Sequence, residues 1–115
     1  MATILVVDDE RAIRTLATAI LQSAGHRVLT AANGLEGVAV FRSYPDDIGL
    51  VLTDMMMPVM DGAQAIERIR ETRPHVPIIL MSGYLGKTPP KGVVLFQKPF
   101  QPAALISLVS GLLGS

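Results

Sequence analysis

The chain of 115 residues sets ten basic against ten acidic side chains, has no cysteine, and is half hydrophobic with 17% charged residues. That composition excludes a disordered chain, a disulfide or thiolate-metal framework, and the basic footprint of a direct nucleic-acid or anionic-membrane binder. The length suits a single domain over residues 1–115, long enough to bury roughly two-thirds of the unfolded surface.

Taken in chain order, short apolar runs alternate with helical patterns, as in a parallel sheet built from βα units. The first predicted strand runs from Thr3 to Asp8 and ends on the paired acids Asp8 and Asp9. Ile13, Leu16, Ala17, Ile20 and Leu21 then recur at helical spacing, and Gly25 suits the cap that closes this helix. A second strand covers Arg27 to Ala31, and Asn33 with Glu36 has the spacing of a capping box that starts a second helix. The third strand, Ile48 to Asp54, is almost wholly apolar until it stops on a carboxylate, and a Met-rich loop follows. Asp61 with Gln64 starts a third helix, and Val76 to Ser82 forms the fourth strand. The next ten residues, "GYLGKTPPKG" from Gly83 to Gly92, hold too much Gly and Pro for a full helix. Val93 to Gln97 is the fifth strand, Lys98 follows it, and Pro102 opens a last helix carrying Leu105, Leu108, Val109 and Leu112.

The remaining apolar and titratable residues have plainer readings. Met55 and Met56 read as packing, and His26 and His75 as surface residues without a ligand-spaced companion. Ile106 and Leu113 are expected to form a partner-facing patch on the last helix. No basic-then-apolar leader opens the chain, and no apolar run approaches the roughly 20 residues that span a bilayer. The expectation is a cytoplasmic protein with no direct membrane contact.

In an open parallel sheet the strand ends of one kind lie along one edge, where such folds bind ligands. Asp8, Asp9, Asp54, Ser82 and Lys98 all fall at such ends. Singly, Asp8 and Asp9 serve equally well as helix caps, Lys98 as a solvated charge and Ser82 as a turn hydroxyl. Jointly they describe a site. Three close carboxylates repel one another unless a cation joins them, and Mg²⁺ accepts one or two carboxylates with waters and phosphate oxygens. A carboxylate beside a metal, an ammonium and a hydroxyl suits phosphoryl transfer, with Asp54 as nucleophile. The metal and Lys98 would neutralise charge on the phosphoryl oxygens while Ser82 donates to one of them.

The motifs "ILVVDDE", "LTDMMMPVMDG", "PIILMSGY" and "QKPF", in that order, resemble the receiver domain of two-component response regulators. "SGY" and "LFQKPF" are most similar to receivers attached to hybrid histidine kinases. The resemblance implies an α/β, doubly wound, flavodoxin-like sheet of five parallel strands in order 2-1-3-4-5. It implies that Asp8 or Asp9 holds Mg²⁺ with Asp54 and the Met56 carbonyl, and that Asp54 accepts the phosphoryl group. Ser82 then takes the switch-hydroxyl position and Lys98 the phosphate-binding position, followed by a cis bond to Pro99. The implied partners are a histidine kinase or histidine phosphotransfer protein and an effector domain or protein. The implied chemistry is self-phosphorylation and self-dephosphorylation only, not turnover of a separate substrate.

Two rivals stand beside this reading: a pseudo-receiver that only binds protein, and a small aspartyl-phosphate phosphatase. Every motif residue is present, which disfavours the first. No Gly-rich phosphate loop follows a strand, which disfavours the second. The chain departs from the family in two places. The Gly83 to Gly92 stretch leaves a shortened or missing fourth helix, and Leu95 stands where receivers carry a switch aromatic, with Phe96 beside it.

Overall fold

The computed structural model describes residues 2–55, 57–82, 90–98 and 101–114. Five runs of mainly aliphatic side chains form one parallel sheet in the order β2-β1-β3-β4-β5. The strands are β1 (Thr3–Val7), β2 (Arg27–Ala31), β3 (Ile48–Asp54), β4 (Ile78–Ser82) and β5 (Val94–Gln97). Between and after them lie α1 (Arg11–Ser23), α2 (Gly34–Ser43), α3 (Gly62–Thr72) and α4 (Pro102–Leu112). These are the four helices among the described residues.

The two-residue period of the strands divides the core. Ile4, Val6, Leu50, Leu52, Ile79 and Met81 pack with Ala17, Ile20 and Leu21 of α1 and with Leu105 and Val109 of α4. Leu5, Val7, Val51, Ile78 and Leu80 face the other way, onto Val38 and Phe41 of α2 and Ala65, Ile66 and Ile69 of α3. Helices on both faces explain why the central strands read as continuous apolar runs. Every residue of β4 is buried, and β3 is buried except at Gly49.

Element ends follow the local chemistry. β4 starts at Ile78, two residues later than expected, because Pro77 has no N–H for the ladder, although its carbonyl accepts from Val51 N at 3.0 Å. β5 starts at Val94, since Val93 N is used on Pro90 O at 3.2 Å to close a turn. Gly92 takes φ +81 in the third position of that turn, which type II geometry demands. This turn is the described end of the Gly83 to Gly92 stretch; residues 83–89, where the short or missing helix was expected, lie outside the described residues.

The caps differ in detail. Asp61 and Gln64 complete a capping box, with bonds of 2.9 and 3.1 Å. Asn33 accepts from Glu36 N at 2.8 Å, but Glu36 reaches back to Ala32 N instead of Asn33 N. The N-cap of α1 is Glu10, without a side-chain cap bond, and β1 ends at Val7, one residue before Asp8.

Three expectations need correction, and the residues before Lys98 gain a structural detail. Leu16 is 44% exposed, because the buried stripe of α1 narrows to Ala17, Ile20 and Leu21. Ile106 and Leu113 pack against the α1 and α4 side of the core and do not stand out as a free patch. His26 is half-buried, and its Nδ1 accepts from Ala2 N at 3.3 Å, whereas His75 is exposed as expected. Leu95 packs on the α2 and α3 side of the core, while Phe96 packs on the opposite face.

Candidate functional site

The carboxyl ends of β1, β3, β4 and β5 place four side chains at one edge of the sheet. Asp8 follows β1 and is fully buried; Asp54 ends β3 at 6% exposure; Ser82 ends β4, also buried. Lys98 comes directly after β5, and its backbone N–H bonds the Ser82 carbonyl at 2.9 Å. From there Lys98 Nζ reaches Asp8 Oδ2 at 3.0 Å and Asp54 Oδ1 at 3.4 Å, with Glu10 Oε1 at 4.0 Å. Residues ninety positions apart meet because parallel strands end together.

The backbone around Asp54 is fixed by close approaches. Met55 N bonds Met81 O at 3.1 Å, and Gly62 N bonds Met55 O at 2.9 Å. A Cβ on Gly62 would lie 2.3 Å from the Asp54 carbonyl oxygen, so the helix that follows the Met-rich loop can start here only on glycine. Gly34 is in the same position against the Met60 carbonyl oxygen, also at 2.3 Å. Within the loop, Met60 N bonds Pro58 O at 2.7 Å across Val59, which takes φ 70. That is a γ-turn centred on a β-branched residue, a strained arrangement. Met55 is buried as expected, and Met57 and Met60 pack on the core.

Burial pushes the Asp54 carboxyl above its ordinary 3.8, the neighbouring Asp8 charge pushes it further, and Lys98 only partly offsets both. Burial pulls the Lys98 ammonium down. Its hydrogen bond to Asp8 and the charges of Asp54 and Asp8 outweigh that, and the net shift is upward from 10.5. One ammonium thus serves two buried carboxylates. Asp9 and Glu10 add two exposed ones, and the carboxylate oxygens of Asp8, Asp9 and Glu10 come within 4.8 Å of one another. Hard oxygen donors with an excess of negative charge fit a divalent cation such as Mg²⁺.

The predicted site residues do not all converge in one way. Asp8, Asp54, Ser82 and Lys98 come together at the sheet edge; among the described residues the acidic group compact enough to share an ion is Asp8, Asp9 and Glu10, and Lys98 links Asp8 to Asp54. Met56, expected to lend its carbonyl, and Pro99, expected after a cis bond, lie outside the described residues. Two further residues belong to the site. Glu10 was visible as the third acid of "DDE". Arg14, one helical turn later, donates from Nη1 to the Asp8 carbonyl at 2.7 Å and had no sequence signal. Asp8 Oδ1 also accepts from Glu10 N at 2.9 Å, so this acid stabilises the entry to α1 as well as holding Lys98.

Comparison with known proteins bears on the family and the fold. Residues 4–110 match the model of the response regulator receiver domain family. The chain is 37% identical over 83 residues to sensor kinase CckA of Brucella abortus, covering 72% of this chain and 9% of the kinase. It is 39% identical over 121 residues to the DNA-binding transcriptional regulator NtrC of Azospirillum brasilense, covering 99% of this chain and 24% of the regulator. The chain therefore spans a quarter or less of these two relatives. Among solved structures it superposes on a chain of the CheX–CheY–BeF₃–Mg²⁺ complex of Borrelia burgdorferi with TM-score 0.89. Identity there is 29%, over 96% of this chain and 88% of that one.

Proposed function

The chain belongs to the response regulator receiver domain family, a family of phosphoacceptor signalling domains, and from that premise we propose that Asp54 is its phosphoacceptor. The carrying observation is the placement of Asp54: buried at the end of β3, 3.4 Å from Lys98, which Asp8 holds at 3.0 Å. In the proposed reaction an Asp54 carboxylate oxygen attacks the phosphorus of a phosphohistidine on a histidine kinase or histidine phosphotransfer protein. The O–P bond forms as the P–N bond breaks, and the imidazole leaves with its electron pair. Burial strips water from the attacking carboxylate, and Lys98 stands ready to balance charge on the incoming oxygens. Ser82, on the neighbouring strand end, supplies a hydroxyl donor for one of those oxygens.

Asp8 and Asp9 would hold Mg²⁺, with Glu10 beside them and the Met56 carbonyl and Asp54 completing the family set. When bound, the ion supplies neutralisation of the phosphoryl charge. The Borrelia complex, which contains both BeF₃ and Mg²⁺, supports this assignment by likeness. Effector coupling follows the relatives, which include a sensor kinase and a transcriptional regulator. No helix among the described residues is long and apolar enough to cross a membrane.

Incubation with acetyl phosphate and Mg²⁺ tests the proposal. One phosphoryl group per chain is expected by intact mass, with none on Asp54→Asn. A chain that stays unlabelled while retaining its fold would instead be a protein-binding pseudo-receiver.

A further inference from the structure

At the opposite end of the sheet, where strands begin, the described residues form a groove of about 520 Å³ that the phosphoacceptor reading leaves unused. Its walls come from the last turn of α3, the connection into β4 and the turn before β5. Three cationic or protonatable side chains line it: Arg70, His75 and Lys91. No Asp or Glu lines it. Glu67 borders an adjoining depression with Arg70 but forms no ion pair with it, and Glu71 is turned to Arg42 at 3.7 Å. The sequence also withholds compensation, since the chain has no acidic residue after Glu71. Arg70 Nε is buried with no hydrogen-bond partner among the described residues. Gly92 makes room for this guanidinium: a Cβ there would sit 3.3 Å from its Nη2.

An unneutralised guanidinium beside two further basic side chains calls for an anion, and the lining decides what kind. A small phosphate cradle relies on converging backbone N–H groups. Here Pro74 and Pro77 have none, and Val76 N is directed to the Arg73 carbonyl at 3.4 Å. What remains is a floor of proline and valine edged by long basic side chains, which fits an extended segment presenting both carboxylates and apolar groups. We infer that the Arg70, His75 and Lys91 groove docks an acidic peptide segment of a partner protein, at the sheet edge remote from Asp54. This inference does not depend on phosphorylation.

The test uses the whole chain and a fluorescent peptide alternating Glu with Leu, with a Gln-for-Glu version as control. Anisotropy should show binding by the acidic peptide alone, weakening as salt rises. Amide shifts in NMR spectra should centre on Arg70, His75, Lys91 and Gly92. Lys91→Glu, on an exposed turn, and Arg70→Gln should each weaken binding about tenfold or more, as loss of a close charge pair does. Asp54→Asn should bind as the wild type does. Equal binding of the Gln peptide, unchanged affinity in Lys91→Glu, or shifts confined to other surfaces would overturn the inference. So would inorganic phosphate moving the same amides at lower concentration than the peptide, because the occupant would then be a small anion.

Discussion

The surroundings of Asp54 disfavour its charged form. Its folded pKa lies above the ordinary 3.8 because of burial and Asp8, so between those two values the native state holds the extra proton. Stability therefore falls as pH rises through that window, and the penalty persists above it. Asp54→Asn should melt higher than wild type near neutrality, with the gain vanishing below about pH 3.8, the ordinary carboxyl value. Thermal melts across that range check it; a constant difference would show that ionisation is not the cause. The Lys98 shift is also upward, so stability again falls as pH rises, but here the charged form is the one its surroundings favour. Its raised pKa contributes stability that is complete below 10.5 and lost as pH climbs through the folded value. Lys98→Met leaves Asp8 and Asp54 without their shared cation and should cost about 3 kcal/mol in chemical denaturation. Combined with Asp54→Asn, the loss should be smaller than the single Lys98→Met effect. Val59 is a different case: nothing in the sequence marks a valine for φ 70, so its γ-turn was illegible beforehand. Val59→Gly should add about 1 kcal/mol by removing that strain.

The elements were easier to read than their junctions. Strand interiors declared themselves by apolar runs and helix starts by capping pairs, since both rest on neighbours in sequence. Junction details rest on neighbours in space. Leu16 has the right helical spacing for burial, but only the packing of α1 on the sheet shows that Ala17, Ile20 and Leu21 fill the buried stripe and leave Leu16 outside it. Glu36 has the right spacing for a box and bonds Ala32 instead. The same contrast gives a paired prediction at the start of α3. Asp61→Ala removes the cap and should cost about 1 kcal/mol, leaving phosphorylation unchanged. Gly62→Ala instead drives a Cβ into the Asp54 carbonyl and should lower both stability and labelling. Equal labelling of the two variants would mean that the tight approach at Gly62 does not position Asp54.

Across the molecule, the convergence of Asp8, Asp54, Ser82 and Lys98 was legible because parallel strands place all their carboxyl ends on one edge. How charge is shared there was not. Sequence spacing suggested three carboxylates around one ion; to these the structure adds Lys98, within reach of both Asp8 and Asp54, and Glu10, whose carboxylate lies beside those of Asp8 and Asp9. Mg²⁺ should accordingly raise the melting temperature of the wild type but not of Asp9→Ala, which should remain folded. All of this turns on which carboxylate carries the phosphoryl group. Borohydride reduces an aspartyl phosphate to homoserine, so trapping after acetyl phosphate treatment, followed by peptide mass spectrometry, reads the position directly. Homoserine at position 54 alone is the expected result; homoserine at position 8, 9 or 61, with position 54 unmodified, would contradict it.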